Sequence, residues 1–174
     1  MNELRFEDQV VVVTGAGRGL GAAYARLFGR RGATVIVHDA GVERDGSGGD
    51  PQFAEGVANE IRLLGGKAQA ATQNLATRQG CQELISDVVE KCGRLDVLVH
   101  SAGLVAYHGI EATTENEWER QYQINIAAPF WLCQSVWPTM KAQRYGRVVL
   151  TVSGYGLKAY DGSDVTAYGD RKRE

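Results

Sequence analysis

Five short apolar runs, each followed by a longer stretch with helical spacing, constrain this chain more than any other feature. They are Val10 to Thr14, Thr34 to His38, Lys67 to Ala71, Leu95 to His100 and Val148 to Val152. Continuous apolar strands are buried on both faces, and the helices between them are the crossovers that parallel strands require. The spacing predicts helices over Leu20 to Arg31, Phe53 to Leu64, Cys81 to Lys91 and Glu115 to Gln143. The last should be kinked or interrupted at Pro129 and Pro138, because proline lacks the N–H that a helix interior needs. The expected architecture is α/β: a doubly wound parallel sheet between two helical layers.

With 174 residues the chain can bury about 70% of the surface it exposes when unfolded, so its core needs neither disulfide nor metal. One domain over residues 1–174 is expected. The charge balance of 19 basic and 21 acidic side chains has no basic block beyond Arg171-Lys172-Arg173, which argues against a nucleic-acid partner. Cys81, Cys92 and Cys133 are odd in number and widely spaced, as in a reducing compartment, and read as small buried hydrophobes. His38, His100 and His108 show no ligand spacing, so no metal site is expected. No run reaches the ~18 apolar residues of a membrane span, and no signal core opens the chain. The expected location is the cytoplasm. The segment Gly41 to Pro51, rich in Gly and Asp, reads as a flexible loop at the sheet edge.

The first strand runs directly into Thr14-Gly15-Ala16-Gly17-Arg18-Gly19-Leu20-Gly21 and then a helix. Glycines allow backbone N–H groups to approach a pyrophosphate, and a helix N-terminus supplies about half a positive charge. Leu20 stands where Gly-x-Gly-x-x-Gly would need its third glycine, so the pattern that fits is Gly15-x-x-x-Gly19-x-Gly21. Asp39 closes the second strand, where an acid accepts hydrogen bonds from an adenosine ribose and repels a 2′-phosphate. That favours NAD over NADP. Arg18 pulls the other way, since a guanidinium there can pair with a 2′-phosphate.

With these residues in order, the chain resembles the short-chain dehydrogenase/reductase family, whose opening turn is Thr-Gly-x-x-x-Gly-x-Gly and whose fold is Rossmann-like. The likeness runs from Phe6 to Lys172. It includes Gly93-Arg94-Leu95-Asp96-Val97-Leu98-Val99-His100-Ser101-Ala102-Gly103, similar to the family segment ending Asn-Asn-Ala-Gly. Ala102 and Gly103 match, whereas His100 and Ser101 stand in place of the asparagines, so the steadying bond of the first Asn has to come from one of them. Asn74, with Leu75 beside it, takes the place of a family Asp that accepts from the adenine amino group. Asn125 ends Trp118-Glu119-Arg120-Gln121-Tyr122-Gln123-Ile124-Asn125, Ser153 follows the fifth apolar run, and Tyr168 with Lys172 forms Tyr-x-x-x-Lys. A Tyr-x-x-x-Lys pair alone is unspecific; the order of all these elements carries the resemblance.

The resemblance implies a catalytic set of Asn125, Ser153, Tyr168 and Lys172. Tyr168 would act as general acid or base, Lys172 would lower its pKa and hold the nicotinamide ribose, Ser153 would donate to the substrate oxygen, and Asn125 would fix a relaying water. The implied cofactor contacts are Gly15, Arg18, Gly19, Leu20, Gly21, Asp39, Asn74, Leu75, Ser101, Ala102, Gly103, Tyr168 and Lys172. The implied reaction moves a hydride between NAD and a secondary alcohol or ketone. The stretch from Gly41 through Ala68 is similar to the hydroxyacyl-CoA dehydrogenase domains of multifunctional β-oxidation enzymes, which points to an acyl-CoA substrate; the chain does not end in the peroxisomal Ser-Lys-Leu. Trp118, Tyr122, Phe130, Trp131 and Trp137 on the long helix read as core packing or as a homodimer or homotetramer contact. Because the family fold continues past Tyr168 and Lys172, a second reading stays open: a truncated or degenerate dinucleotide-binding module without catalysis.

Overall fold

The structure, a computed structural model, describes residues 3–42, 48–107 and 109–154. Five parallel strands form one sheet in the order β3-β2-β1-β4-β5. They are β1 (Val10–Thr14), β2 (Thr34–His38), β3 (Lys67–Ala71), β4 (Val97–His100) and β5 (Arg147–Leu150). Strand order runs outward from β1 in both directions, so the expected doubly wound sheet is the observed one. Helices α1 (Gly19–Arg30) and α2 (Gln52–Leu63) cover one face; α3 (Arg78–Cys92) and α5 (Ala128–Gln143) cover the other.

Alternation along the strands decides which layer each residue meets. Val11, Val13, Val35, Val37, Val97 and Val99 pack with Ala22, Ala25, Val57 and Ile61 of α1 and α2. Val10, Val12, Ile36 and Leu98 pack with Leu84, Val88, Leu132 and Val136 of α3 and α5. Small residues let α1 and α2 approach closely: a Cβ at Gly29 would lie 2.6 Å from Ile61 Cγ2.

The boundaries of β1, β2 and β3 are those expected. The fourth run begins pairing at Val97 rather than Leu95, because the Gln143 amide takes both backbone groups of Leu95: Leu95 N–H donates to Oε1 and Nε2 donates to the Leu95 carbonyl, each at 3.0 Å. The fifth strand spans Arg147–Leu150 rather than Val148 to Val152, since its partner β4 ends at His100. Asp96, fully buried, pins this end of the sheet by accepting from Val10 N–H at 2.9 Å and from Arg94 at 2.8 Å through both carboxylate oxygens.

The long predicted helix is three segments. Helix α4 (Glu115–Tyr122) starts at a capping box between Thr114 and Glu117, a π-helical turn follows at Gln123–Ala127, and α5 completes the run. The expected break at Pro129 therefore lies just before it. Proline has no N–H for the Asn125 carbonyl one turn earlier, and its ring crowds that oxygen, so the preceding turn widens. Pro138 interrupts nothing. It and Gln134, whose carbonyl it leaves without a helical donor, are both exposed, so that end of the bond is open to solvent rather than to the core.

Cys81 is buried, Cys92 and Cys133 are half-buried, and all three are free thiols. Burial pushes Cys81 up to about 12 and raises the other two. Among the described residues no helix is long and apolar enough to cross a membrane.

Candidate functional site

A cleft of about 1080 Å³ opens over the carboxyl edge of the sheet, where the loops after β1, β2, β3 and β4 meet. In an open α/β sheet this edge, at the point where strand order reverses, is where ligands bind. The turn after β1 forms its floor. Gly15 has φ +64°, and a Cβ there would lie 2.7 Å from Ala102 Cα and 2.8 Å from Ala102 N, so the turn and the post-β4 loop touch backbone to backbone. Gly21 has the same role behind the turn: a Cβ would lie 2.1 Å from the Gly15 carbonyl oxygen. Gly15, Arg18 and Gly19 line the cleft, while Gly21 is buried in the first turn of α1 and the Leu20 side chain is 53% exposed beside it.

Asp39 is held from two sides. Oδ2 accepts from Gly17 N–H at 2.9 Å and Oδ1 from Gly41 N–H at 2.8 Å, which fixes the carboxylate in the cleft wall. Arg18 stacks on Phe53, its guanidinium carbon 4.2 Å from the ring centroid, and donates to the Val42 carbonyl. The ends of the Gly41 to Pro51 loop meet through Asp50 N–H and the Gly41 carbonyl, 3.1 Å apart.

On the β3 side, Asn74 and Leu75 line the cleft as expected. The Asn74 side-chain oxygen accepts from Ala76 N–H at 2.9 Å, a bond that closes the turn into α3, and its second lone pair stays available to a ligand. On the β4 side, Ser101, Ala102 and Gly103 line the wall. His100, which stands where the family has its first Asn, ties β4 to β1: its Nδ1 is 2.8 Å from Thr14 Oγ1, and Ala102 N–H donates to the same oxygen at 3.3 Å.

Asn125 sits in the π turn and is 5% exposed. Its Oδ1 accepts from Leu104 N–H at 3.1 Å, and its Nδ2 donates to the Leu104 carbonyl at 2.9 Å. It thus clamps the loop after β4. Replacing Asn125 with Ala would remove both bonds to Leu104, which is half-buried at the cleft, at about 0.5–1.5 kcal/mol for each bond. Urea unfolding should show Asn125→Ala less stable by about 1–3 kcal/mol. Ser153 lies beyond β5 and is half-buried. Tyr168 and Lys172, like His108, lie outside the described residues.

The cleft also contains residues that motif reading passed over. Arg120 and Ile124 reach it from α4 and the π turn, one helical turn apart, a spacing visible in the sequence. His38 reaches it from the end of β2, where a polar ring closes an otherwise apolar run. Among the described residues no three His, Cys, Asp or Glu side chains gather to hold a metal ion.

The short chain dehydrogenase family model matches residues 9–172. The chain belongs to that family. It is 37% identical over 155 residues to a peroxisomal hydratase-dehydrogenase-epimerase of Neurospora crassa, a match covering 89% of this chain and 17% of that protein. The chain thus spans about a fifth or less of that relative's length. Among solved structures, a metagenomic short-chain oxidoreductase in complex with NADP superposes with a TM-score of 0.85 at 30% identity, over 95% of this chain and 71% of that one. A 7α-hydroxysteroid dehydrogenase complexed with NADH and 7-oxo glycochenodeoxycholic acid superposes with a TM-score of 0.86 at 27% identity, over 97% of this chain and 62% of that one. The likeness to multifunctional enzymes agrees with a second relative, a peroxisomal multifunctional enzyme type 2 of Mus musculus, 38% identical over 154 residues that cover 88% of this chain and 20% of that protein.

Proposed function

We propose that this short-chain dehydrogenase moves a hydride between NAD and a secondary alcohol or ketone. The observation that carries the cofactor reading is the fixed Asp39 carboxylate, held by Gly17 and Gly41 in the wall of the cleft. A dinucleotide fits the residues present. The glycine turn packs so tightly on Ala102 that no side chain fits between them, while the space beside Gly19 is open for 4 Å around a built Cβ. Gly15 and Gly19 would hold the pyrophosphate, Asp39 the adenosine ribose, Asn74 and Leu75 the adenine, and Ser101 to Gly103 the nicotinamide half. Leu20 and Gly21 would contribute through the start of α1.

The bound cofactor supplies the hydride acceptor or donor. The chain's own residues move the proton and hold the oxygen. Tyr168, a phenol with an ordinary pKa of about 10, is a poor base near pH 7, and an ammonium within about 4–6 Å lowers such a pKa by roughly 1–3 units. Lys172 takes that role, Ser153 donates to the substrate oxygen, and Asn125 fixes a water that relays protons. The substrate class is a hydroxyacyl or ketoacyl thioester of coenzyme A, a reading supported by the Neurospora relative. Phe130 and Trp137, 59% and 65% exposed on α5, support a homo-oligomer contact on that helix.

Calorimetric titration with NADH and with NADPH tests the cofactor assignment. Wild type should bind NADH more tightly. Asp39→Ala removes a charge-assisted acceptor of about 1.5–3 kcal/mol, so NADH affinity should fall on the order of ten- to a hundredfold. The preference over NADPH should narrow with it. An unchanged NADH to NADPH ratio in the variant would mean that Asp39 does not read the ribose.

A further inference from the structure

Three polar side chains lie in one row beneath the cleft, and parallel register puts them there. Thr14 of β1 is the Cα partner of both His38 on β2 and His100 on β4. All three are buried, with exposures of 0%, 2% and 3% in the order Thr14, His38, His100. They end the apolar faces formed by Val12, Ile36 and Leu98. His100 and Thr14 bond to each other, but His38 turns the other way, toward the loop after β3.

His38 Nε2 is 2.8 Å from the Gln73 carbonyl oxygen. A carbonyl only accepts, so Nε2 carries the proton. Burial holds the imidazole below its usual pKa, with partial relief from the Gln73 carbonyl and the Asp39 charge, and the ring is neutral at pH 7. Its Nδ1 is therefore a lone-pair acceptor, and it has no hydrogen-bond partner among the described residues. Burying that atom without a partner is costly. The Nε2 bond gives the ring its place. Gln73 extends the connection, since its side-chain Nε2 donates to Asp87 Oδ2 of α3 at 2.8 Å. The loop from Thr72 to Ala76 is thus tied at one residue to β2 and to α3. Thr72, Asn74, Leu75 and Ala76 form the cleft wall opposite Asp39 and Ala40.

We infer that His38 is a positioning residue for adenine recognition: through the Gln73 carbonyl it fixes the height of the loop that presents Asn74 and Leu75 to the base. This rests on the dinucleotide reading above. His38 holds the loop rather than the cofactor: Asp39 N–H joins the end of β2 to the Ala71 carbonyl at 3.0 Å, and the His38 bond carries that tie two residues further, to Gln73. A ring without a donor leaves the half-buried Gln73 carbonyl without this bond and loosens the loop at that residue. A side chain with an amide nitrogen near the Nε2 position restores the tie.

AMP and NADH are the probes, with affinities measured by calorimetry on the whole chain and folding checked by thermal melting. His38→Phe keeps a ring and removes the donor, and should weaken AMP and NADH equally, by about tenfold. His38→Gln returns an N–H donor and should restore both to within about threefold of wild type. Asp87→Ala, remote from the cleft wall, frees Gln73 and should weaken AMP about two- to threefold without lowering the melting temperature by more than a few degrees. Wild-type AMP affinity in His38→Phe, or equal weakening in His38→Phe and His38→Gln, overturns the inference while leaving the dinucleotide reading in place. If His38→Phe does not fold, an unaltered AMP affinity in Asp87→Ala overturns it. A wild-type chain that binds neither AMP nor NADH overturns the dinucleotide reading, and the inference falls with it.

Discussion

Tyr168→Phe should lower the rate of alcohol oxidation by about 10²–10⁴-fold, the usual contribution of a positioned general acid or base. NADH affinity should stay within about threefold of wild type, because the ring keeps its volume and only the phenol oxygen is lost. The two readouts together separate a proton-transfer role from a folding role. The pH profile adds a sign. On the proposed mechanism the phenolate is the active form in the oxidation direction, so the rate should rise with pH as the Tyr168 phenol ionises and level off once it is ionised. Lys172→Ala removes the cation proposed to favour the phenolate, and the inflection should then move up, toward the ordinary phenol value of about 10. Stopped-flow or steady-state assays with NAD and a hydroxyacyl thioester would measure both. Full activity in Tyr168→Phe would remove Tyr168 from the mechanism, and an unmoved inflection in Lys172→Ala would remove Lys172.

The parts of the fold that could be read from sequence are those governed by local chemistry. β1, β2 and β3 fall at the expected residues: the apolar runs of β1 and β2 end at Gly15 and Asp39, both depleted in strands, and β3, Lys-Ala-Gln-Ala-Ala, follows the Gly65-Gly66 turn. The glycine turn was legible for the same reason. What escaped depends on contacts between distant segments. Leu95 looks like strand until Gln143, from the far end of α5, takes its backbone groups. Pro129 signals a break, but the widened turn forms before it, and that turn sets Asn125 against Leu104. The row of His38, Thr14 and His100 exists only through strand register, so no spacing along the chain discloses it.

Asn125 shows how a residue matched by motif also carries a local structural task. Beside the relaying water that the family resemblance implies, both ends of its side-chain amide bond Leu104. The carbonyl oxygen has a second lone pair, but the principal geometric effect is to fix the loop that carries Gly103 and Leu104 into the cleft. A Cβ at Gly103 would come within 3.2 Å of Asn125 Oδ1, so the clamp and the small residue are matched. The π turn and the cleft wall are therefore one unit.

Gly15→Ala should cost both the fold and the cofactor site, whereas Gly19→Ala should cost chiefly the site. At Gly15 a Cβ would meet Ala102 Cα at 2.7 Å and Ala102 N at 2.8 Å, backbone atoms that cannot rotate aside. The residue also has φ +64°, in the left-handed region where a side chain is strained by about 1 kcal/mol. Strain plus the forced displacement of the post-β4 loop should lower stability by about 2–4 kcal/mol, comparable to overpacking a core. NADH affinity should fall more than about a hundredfold, since the turn and the Ser101 to Gly103 wall would separate. At Gly19 the φ is +54°, but a Cβ would meet nothing within 4 Å. Only the strain of about 1 kcal/mol should appear in unfolding, while the methyl group would stand in the cleft where a pyrophosphate approaches the backbone. Gly65→Ala is the control for strain alone: φ is +83°, the surroundings are equally open, and the residue is absent from the cleft wall. Urea unfolding and NADH titration of the three variants should place Gly15→Ala low on both axes, Gly19→Ala low on binding only, and Gly65→Ala near wild type in binding. Equal NADH affinity in Gly19→Ala and Gly65→Ala would mean that no phosphate approaches the turn, and the cleft would then serve a different ligand.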